Sequence, residues 1–133
     1  MDRRLHRRLA AAFGLWFAAL SPAFSGLGAF GAEIGDVQTC VTLKSIDDSR
    51  VIDDKTIVLR LISAPQYRRI DLTSECHGLE FAGSFSSATS IGQLCANDII
   101  RVTRDPMGSQ CTIDQITVID EGEAKSLIAA RKQ

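Results

Sequence analysis

The chain has few of the short motifs that mark an enzyme. Its four cysteines form no C-x-x-C pair, which removes the thioredoxin-like redox motif and the commonest zinc-knuckle spacing. It has no phosphate-binding glycine loop, no G-x-S-x-G and no H-E-x-x-H. Histidine is scarce as well, with two in 133 residues. The sequence therefore gives little basis for naming a reaction, and compartment and fold have to be inferred first.

Clustered positive charge is also scarce beyond the first eight residues. The only later basic doublets are Arg68-Arg69 and Arg131-Lys132. Nucleic acids and anionic lipids are bound by clustered Lys and Arg, so neither is an expected partner. We interpret Arg68-Arg69 as a solvated surface pair, because an isolated exposed pair contributes little energy.

The N-terminus has the pattern of a signal peptide. Met1 to Arg8 carries four arginines and one acid, and Leu9 to Ala32 has no charge, as in a positive n-region before an apolar h-region. Small residues suit cleavage after Gly31 or Ala32, with an earlier alternative after Ala23. We predict that residues 1–32 are a signal peptide and that the protein is periplasmic or secreted.

An uncleaved membrane anchor is the alternative for this segment, since roughly 20 apolar residues can span a bilayer. Pro22 and the glycines after it weaken that interpretation. Cleavage would leave 101 residues with 11 Lys and Arg against 15 Asp and Glu, because the segment removed holds four Arg and one Asp. The mature chain is then one mildly acidic domain, with no expected membrane contact and an oligomeric state that the sequence does not define.

All four cysteines lie in the mature part. An even number in a short exported chain indicates two disulfides rather than a metal site, so we expect no metal and no cofactor. We favour a nested pairing of Cys40 with Cys111 and Cys76 with Cys95, because the first and last strands of a closed meander meet. The alternative joins Cys40 to Cys76 and Cys95 to Cys111.

The adjacent pair Cys76-His77 invites interpretation as a thiol–imidazole site. A cysteine in a disulfide has no thiolate, and neighbours in an extended segment point to opposite faces. We therefore interpret His77 as a turn residue before Gly78 and predict no catalytic residue. The acidic pairs Asp47-Asp48 and Asp53-Asp54 lack the ligand spacing of a calcium loop and are expected in turns.

The mature chain alternates short apolar runs with turn residues, which is typical of strands. Residues 40–46, 55–62, 66–72, 98–104 and 111–120 are the predicted strands, and the second and third form a hairpin whose Ile70 and Leu72 face the core. Residues 47–54 are expected to be a polar connection. Residues 82–92 are expected to be a loop with one short strand at most, anchored by Phe81 and Phe85.

Only the segment from Glu121 has helical composition, with Glu121 four residues before Lys125. Parallel pairing needs crossover helices, and none is predicted between the strands. We therefore expect an all-β domain over residues 33–120, a small antiparallel barrel or sandwich of five to six strands. Residues 121–133 form a short C-terminal helix or tail.

The order of these features resembles a family of small exported bacterial proteins known only as a domain of unknown function. The resemblance runs from Cys40 to Ile119 through "IDDKTIVLR", a tyrosine strand, "CHGL", "LCANDII" and a final Cys-x-Ile. Its most specific elements are C-x-G-L and L-C-x-x-D. The family often has Pro where this chain has His77. The resemblance implies export and disulfides, and it implies no substrate.

Two classes of function remain open. The first is a non-enzymatic envelope or periplasmic domain that binds a protein or small ligand through a sheet face or the 82–92 loop. The second is a small periplasmic hydrolase that uses His77 with Asp or Ser partners from elsewhere in the fold. A buried pocket holding His77 beside a carboxylate would favour the enzyme, and an exposed His77 would favour binding.

Overall fold

Runs of β-branched residues and leucine form the strands of this protein. A computed structural model describes residues 31–63, 66–89 and 91–131. A short 3-10 helix spans Leu43–Ser45. The strands are β1 (Val37–Gln38), β2 (Cys40–Thr42), β3 (Ile46–Val51), β4 (Thr56–Leu61), β5 (Tyr67–Leu72), β6 (Phe85–Ser87), β7 (Gln93–Cys95), β8 (Ile99–Val102) and β9 (Gln110–Ile119), and the α-helices are α1 (Leu79–Ala82) and α2 (Glu121–Arg131).

Seven of the strands in the described residues form one curled antiparallel sheet. Their order is β3-β4-β5-β9-β8-β6, and β1 pairs with the C-terminal half of β9. The remaining two, β2 and β7, form a separate antiparallel pair. The sheet closes about half of a barrel, and α2 follows it. The predicted all-β fold with a C-terminal helix is therefore confirmed.

The two faces of the sheet bury different residues because side chains alternate along a strand. Ile57, Leu59 and Leu61 of β4 join the larger core, which also holds Val41 of β2 and Leu94 of β7. The β2–β7 pair thus covers one face of the sheet. On the other face, Val58 packs with Ile119 and with Ala124 of α2. Burial on both faces explains why three consecutive apolar residues, Ile57 to Leu59, occupy the middle of β4.

The predicted β4–β5 hairpin is present, and its register places Ile57 opposite Ile70. Ile70 and Leu72 are buried, as expected. Helix α2 begins at Glu121, where the Asp120 carboxylate accepts a hydrogen bond from the backbone N–H of Glu123 at 2.7 Å. Glu121 and Lys125 form the expected ion pair at 2.7 Å.

The prediction that residues 47–54 form a connection is wrong for its first half. Residues 46–51 are the strand β3, which pairs with β4 along the edge of the sheet. An edge strand carries charges on its exposed side, which hides the strand pattern in the sequence. Asp47 pairs with Arg60 at 2.6 Å and Asp48 with Arg50 at 2.8 Å, while Val51 is buried.

The four cysteines form two disulfides, as predicted, but the favoured nested pairing is wrong and so is its alternative. The bonds join Cys40 to Cys95 and Cys76 to Cys111. Strand β1 pairs with β9 up to Gln38, whereas the next strand, β2, pairs with β7. This change of partner places Cys40 directly opposite Cys95 and away from Cys111. Cys76 follows β5, which pairs with β9, so it lies near the start of β9 at Cys111.

The expected signal peptide, residues 1–32, lies almost wholly outside the described residues, so its cleavage stays a prediction. In the part of the chain that the structure describes, no helix has the length and apolar character needed to cross a membrane.

Candidate functional site

Two residues of the short helix α1 have opposite environments. Leu79 is fully buried in the larger core, whereas the side chain of Phe81 is 98% exposed. Residues two positions apart on a helix are separated by about 200° around its axis, so one face of α1 anchors the segment and the other presents Phe81 to solvent. Phe81 has the highest exposure of the large apolar residues in the part of the chain that the structure describes.

The segment that carries Phe81 is fixed from several sides. Gly78 and Gly83 bound α1 with φ values of 82° and 66°, a left-handed conformation that glycine adopts without strain. Cys76 is tied to β9 by its disulfide, and its N–H donates to the carbonyl of Asp54 at 2.6 Å. The Asp54 carboxylate accepts a hydrogen bond from the N–H of Glu80 at 2.7 Å.

Arg131, at the end of α2, contacts the other end of α1. Its Nη2 donates to the carbonyl oxygen of Glu80 at 3.4 Å. The same guanidinium would lie 3.2 Å from a Cβ atom at position 83, so glycine there permits the close approach. The exposed ring of Phe81 therefore stands on a well-supported backbone rather than on a free loop.

Phe81 contributes to the lining of two clefts. The apolar cleft, with a volume of about 240 Å³, is lined by Phe81, Ala82, Val102 and Pro106, with Arg104 at its border. This volume is below the roughly 300–1,000 Å³ typical of pockets for drug-sized ligands. It exceeds the roughly 150 Å³ that suffices to hold a benzene ring in an apolar cavity. The cleft therefore suits one aromatic or aliphatic side chain better than a cofactor.

The second cleft is more open and carries charges. Asp54, Glu80 and Arg131 line it together with Phe81, and its volume is about 400 Å³. We call Phe81 with these two clefts the Phe81 surface.

The turn that borders the apolar cleft is fixed by Asp105. Its carboxylate accepts hydrogen bonds from the N–H of Ser109 at 2.8 Å and of Met107 at 3.0 Å. Hydrogen bonds from the hydroxyl and N–H of Ser109 and from the N–H of Met107 hold the pKa of Asp105 below its usual value. Met107 itself is 91% exposed, which adds a second large apolar side chain to this end of the molecule.

His77 and Cys76 do not form a site. Cys76 is fully buried and disulfide-bonded, and His77 is exposed. Among the described residues, no hydrogen bond or ion pair joins His77 to a carboxylate, and the residue lines neither cleft of the Phe81 surface. The hydrolase hypothesis gains no support from this placement.

The interpretation of Arg68-Arg69 as a solvated pair is wrong for Arg68. Arg68 is 5% exposed because it shares a face of β5 with Ile70 and Leu72. Arg69 points to the other face and pairs with Asp71 at 3.1 Å and with Glu123 of α2 at 2.7 Å. The doublet contributes to the internal structure of the domain and offers no exposed basic patch.

The acidic pairs Asp47-Asp48 and Asp53-Asp54 have structural roles within the domain. Asp47 and Asp48 are in β3 rather than in a turn, whereas the carboxylate of Asp53 accepts a hydrogen bond from the N–H of Lys55 at 2.7 Å, as expected in a turn. In the described residues no group of three or more His, Cys, Asp or Glu side chains is arranged to hold a metal ion.

The loop predicted from the sequence as a binding segment, residues 82–92, begins at Ala82 of the Phe81 surface but does not include Phe81 itself. Phe85 lies in β6 and packs against the core, as an anchor should. Phe81 is not an anchor, contrary to expectation. The spacing of Leu79 and Phe81 between two glycines could have indicated that a short helix would bury one and expose the other.

The described residues form a disulfide-linked antiparallel half-barrel domain that exposes the aromatic side chain of Phe81. The chain belongs to the family of unknown function DUF6491, whose sequence profile matches residues 3–133. Neither the curated proteins nor the solved structures contain a match to the chain.

Proposed function

We propose that this chain is an exported, non-enzymatic binding domain that docks a protein partner through the Phe81 surface. The observation that carries the proposal is the 98% exposure of Phe81 on a segment held by a disulfide, by Asp54 and by the buried Leu79. Exposed aromatic side chains on rigid supports are typical anchors of protein interfaces, because they bury a large area and lose little conformational entropy.

The chemistry of the clefts favours a protein partner over a small substrate. The apolar cleft has room for one side chain, and its border carries charges that could meet polar groups at the rim of an interface. The competing hydrolase hypothesis needs His77 in a pocket beside an acid, whereas His77 is exposed.

Export is supported by two features of the chain. Both disulfides need an oxidising compartment to form and persist. The charged N-terminus followed by an uncharged run is the pattern of a signal peptide. The expected location is the periplasm or the exterior.

Site-specific photocrosslinking tests the proposal. The full chain is expressed with its own N-terminus in a bacterial host, with p-benzoylphenylalanine in place of Phe81 or, as the control, in place of Ile62, which is 66% exposed and lines neither cleft. Fractionation and N-terminal sequencing establish location and processing. Crosslinks from position 81 but not from position 62, in the exported fraction, are expected. Equal crosslinking at both positions, or an intact Met1 in the cytosol, would contradict the proposal.

A further inference from the structure

We infer that the partner of the Phe81 surface is a second copy of this chain, in a two-fold symmetric dimer. This inference rests on the proposed use of that surface for protein binding. Its basis is that the projecting group and a cleft able to receive it lie side by side on one face of the molecule.

The arrangement of ring and cleft is self-complementary. Phe81 forms one wall of the apolar cleft, while the residue as a whole is 98% exposed. In an isologous dimer the same patch of both subunits meets across a two-fold axis, so a contact made by one copy is repeated by the other. An axis beside Phe81 would place each ring in the cleft of the partner copy, between Ala82 and Pro106.

The size of the cleft agrees with this occupant. Its volume of about 240 Å³ exceeds the roughly 150 Å³ that accommodates a benzene ring. Its lining includes the apolar side chains of Ala82, Val102 and Pro106, which would contact the inserted ring. Thr103, Arg104 and Asp105 contribute polar groups to the same lining.

The charges around Phe81 also favour a like copy over a strongly charged partner. Arg104 and Asp105 line the apolar cleft, and Asp54, Glu80 and Arg131 line the open cleft, which makes two cations and three anions. A patch that holds both signs in similar numbers can pair with itself, because rotation of a second copy brings groups of one sign near groups of the other. A partner whose contact surface carried charge of only one sign would be repelled by part of the Phe81 surface.

Sedimentation of the purified protein over a concentration series tests the inference. The full chain is expressed in an export host, and the processed form that results is identified by mass spectrometry. A concentration-dependent dimer is expected. Phe81→Ala should raise its dissociation constant by about 30-fold or more, the factor that corresponds to roughly 2 kcal/mol at an interface hot spot. The matched control Ile62→Ala removes another exposed apolar side chain and should leave the constant unchanged.

A complementation experiment distinguishes specific insertion of the Phe81 ring from nonspecific hydrophobic association. Thr103 lines the apolar cleft, so Thr103→Phe is designed to fill the cleft while keeping Phe81. Each of the two variants alone should dimerise much more weakly than the parent chain. Their mixture should form a heterodimer more readily than either variant self-associates, because the unfilled cleft of the Phe81→Ala copy loses one wall but keeps Ala82, Val102 and Pro106 to receive the intact ring of the other copy.

The outcomes separate this inference from the proposed function. A monomer at all concentrations, or a dimer unaffected by Phe81→Ala, overturns the second copy as partner. If position 81 then still crosslinks selectively to a different protein, the Phe81 surface remains a binding site. Failure of the mixture to associate, with both variants folded by circular dichroism, would also overturn the reciprocal arrangement.

Discussion

Arg68 donates a hydrogen bond from its Nε to the Oε1 of Gln38, 30 positions earlier in the chain, and so links β5 to β1 across β9. The guanidinium also donates to the carbonyl of Tyr67 at 3.0 Å. Burial lowers the pKa of Arg68, yet an arginine stays protonated in any ordinary buffer. Among the described residues no carboxylate pairs with it, so neutral acceptors hold this buried cation.

Replacing Arg68 by methionine keeps an apolar stem but leaves the acceptors of Gln38 and Tyr67 unsatisfied. We expect a loss of about 1–3 kcal/mol in the free energy of unfolding, the usual cost of an orphaned buried polar group. Urea denaturation measures it. The control Arg101→Met, on the exposed side of β8, should stay within about 0.5 kcal/mol of the parent. Equal or greater stability of Arg68→Met would show that desolvation of the cation outweighs its hydrogen bonds.

The sequence predicts the pairing of neighbouring strands well, because the two strands of a hairpin show their own alternation of apolar and polar residues. In β5, the alternation that places Ile70 and Leu72 in the core also places Arg68 on their face, and the same pattern could have predicted its burial. The interpretation as a solvated pair gave residue type more importance than position. The edge strand β3 was missed for a related reason, since its exposed charges conceal the buried Val51.

The disulfide pairing was not accessible from local patterns. It depends on the crossing between β1 and β2, where one residue, Thr39, separates pairing with β9 from pairing with β7. No composition or periodicity marks such a change of partner, because β1 and β2 are short. Which strand each of them pairs with depends on long-range packing. The exposure of Phe81 likewise depends on how α1 is fixed by Cys76 and Asp54, two contacts that sequence spacing does not reveal.

The two disulfides should differ in what they support. Their sequence separations are 55 and 35 residues, and the loop-closure relation gives about 4 kcal/mol for each. Replacing Cys40 and Cys95 by alanine should lower stability and leave α1 in place. Replacing Cys76 and Cys111 should lower it similarly and also release α1.

Hydrogen exchange of the amides of Ala82 and Gly83, which bond to the carbonyls of Gly78 and Leu79, separates the two cases. Protection should fall selectively in the second variant. Equal loss of protection in both variants would contradict a local role for the Cys76–Cys111 bond.

Substitutions of Leu79 and Phe81 test whether α1 has one buried face and one exposed face. Leu79→Ala removes a fully buried side chain and should cost about 2–5 kcal/mol of unfolding free energy. Phe81→Ala removes a ring that is 98% exposed and should change stability by no more than about 0.5 kcal/mol in dilute protein. Thermal and urea unfolding measure both. A large loss from Phe81→Ala at monomeric concentrations would mean that the ring packs within its own chain.

The turn beside the apolar cleft should loosen in acid. The pKa of Asp105 lies below its usual value because Ser109 and Met107 donate hydrogen bonds to the ionised carboxylate. A depressed pKa in the folded state means that this stabilisation is present above the ordinary carboxyl value of about 3.9 and is lost as the pH falls through the lower folded-state value. The amide proton shifts of Met107 and Ser109, followed by NMR, should therefore titrate together with a midpoint below about 3.9. Asp105→Asn should abolish that titration, and Asp114→Asn, an exposed change on β9, should leave it intact. A shared midpoint at or above the ordinary value would show that these two hydrogen bonds do not favour the charged carboxylate, and that the turn bordering the cleft is held by its backbone alone.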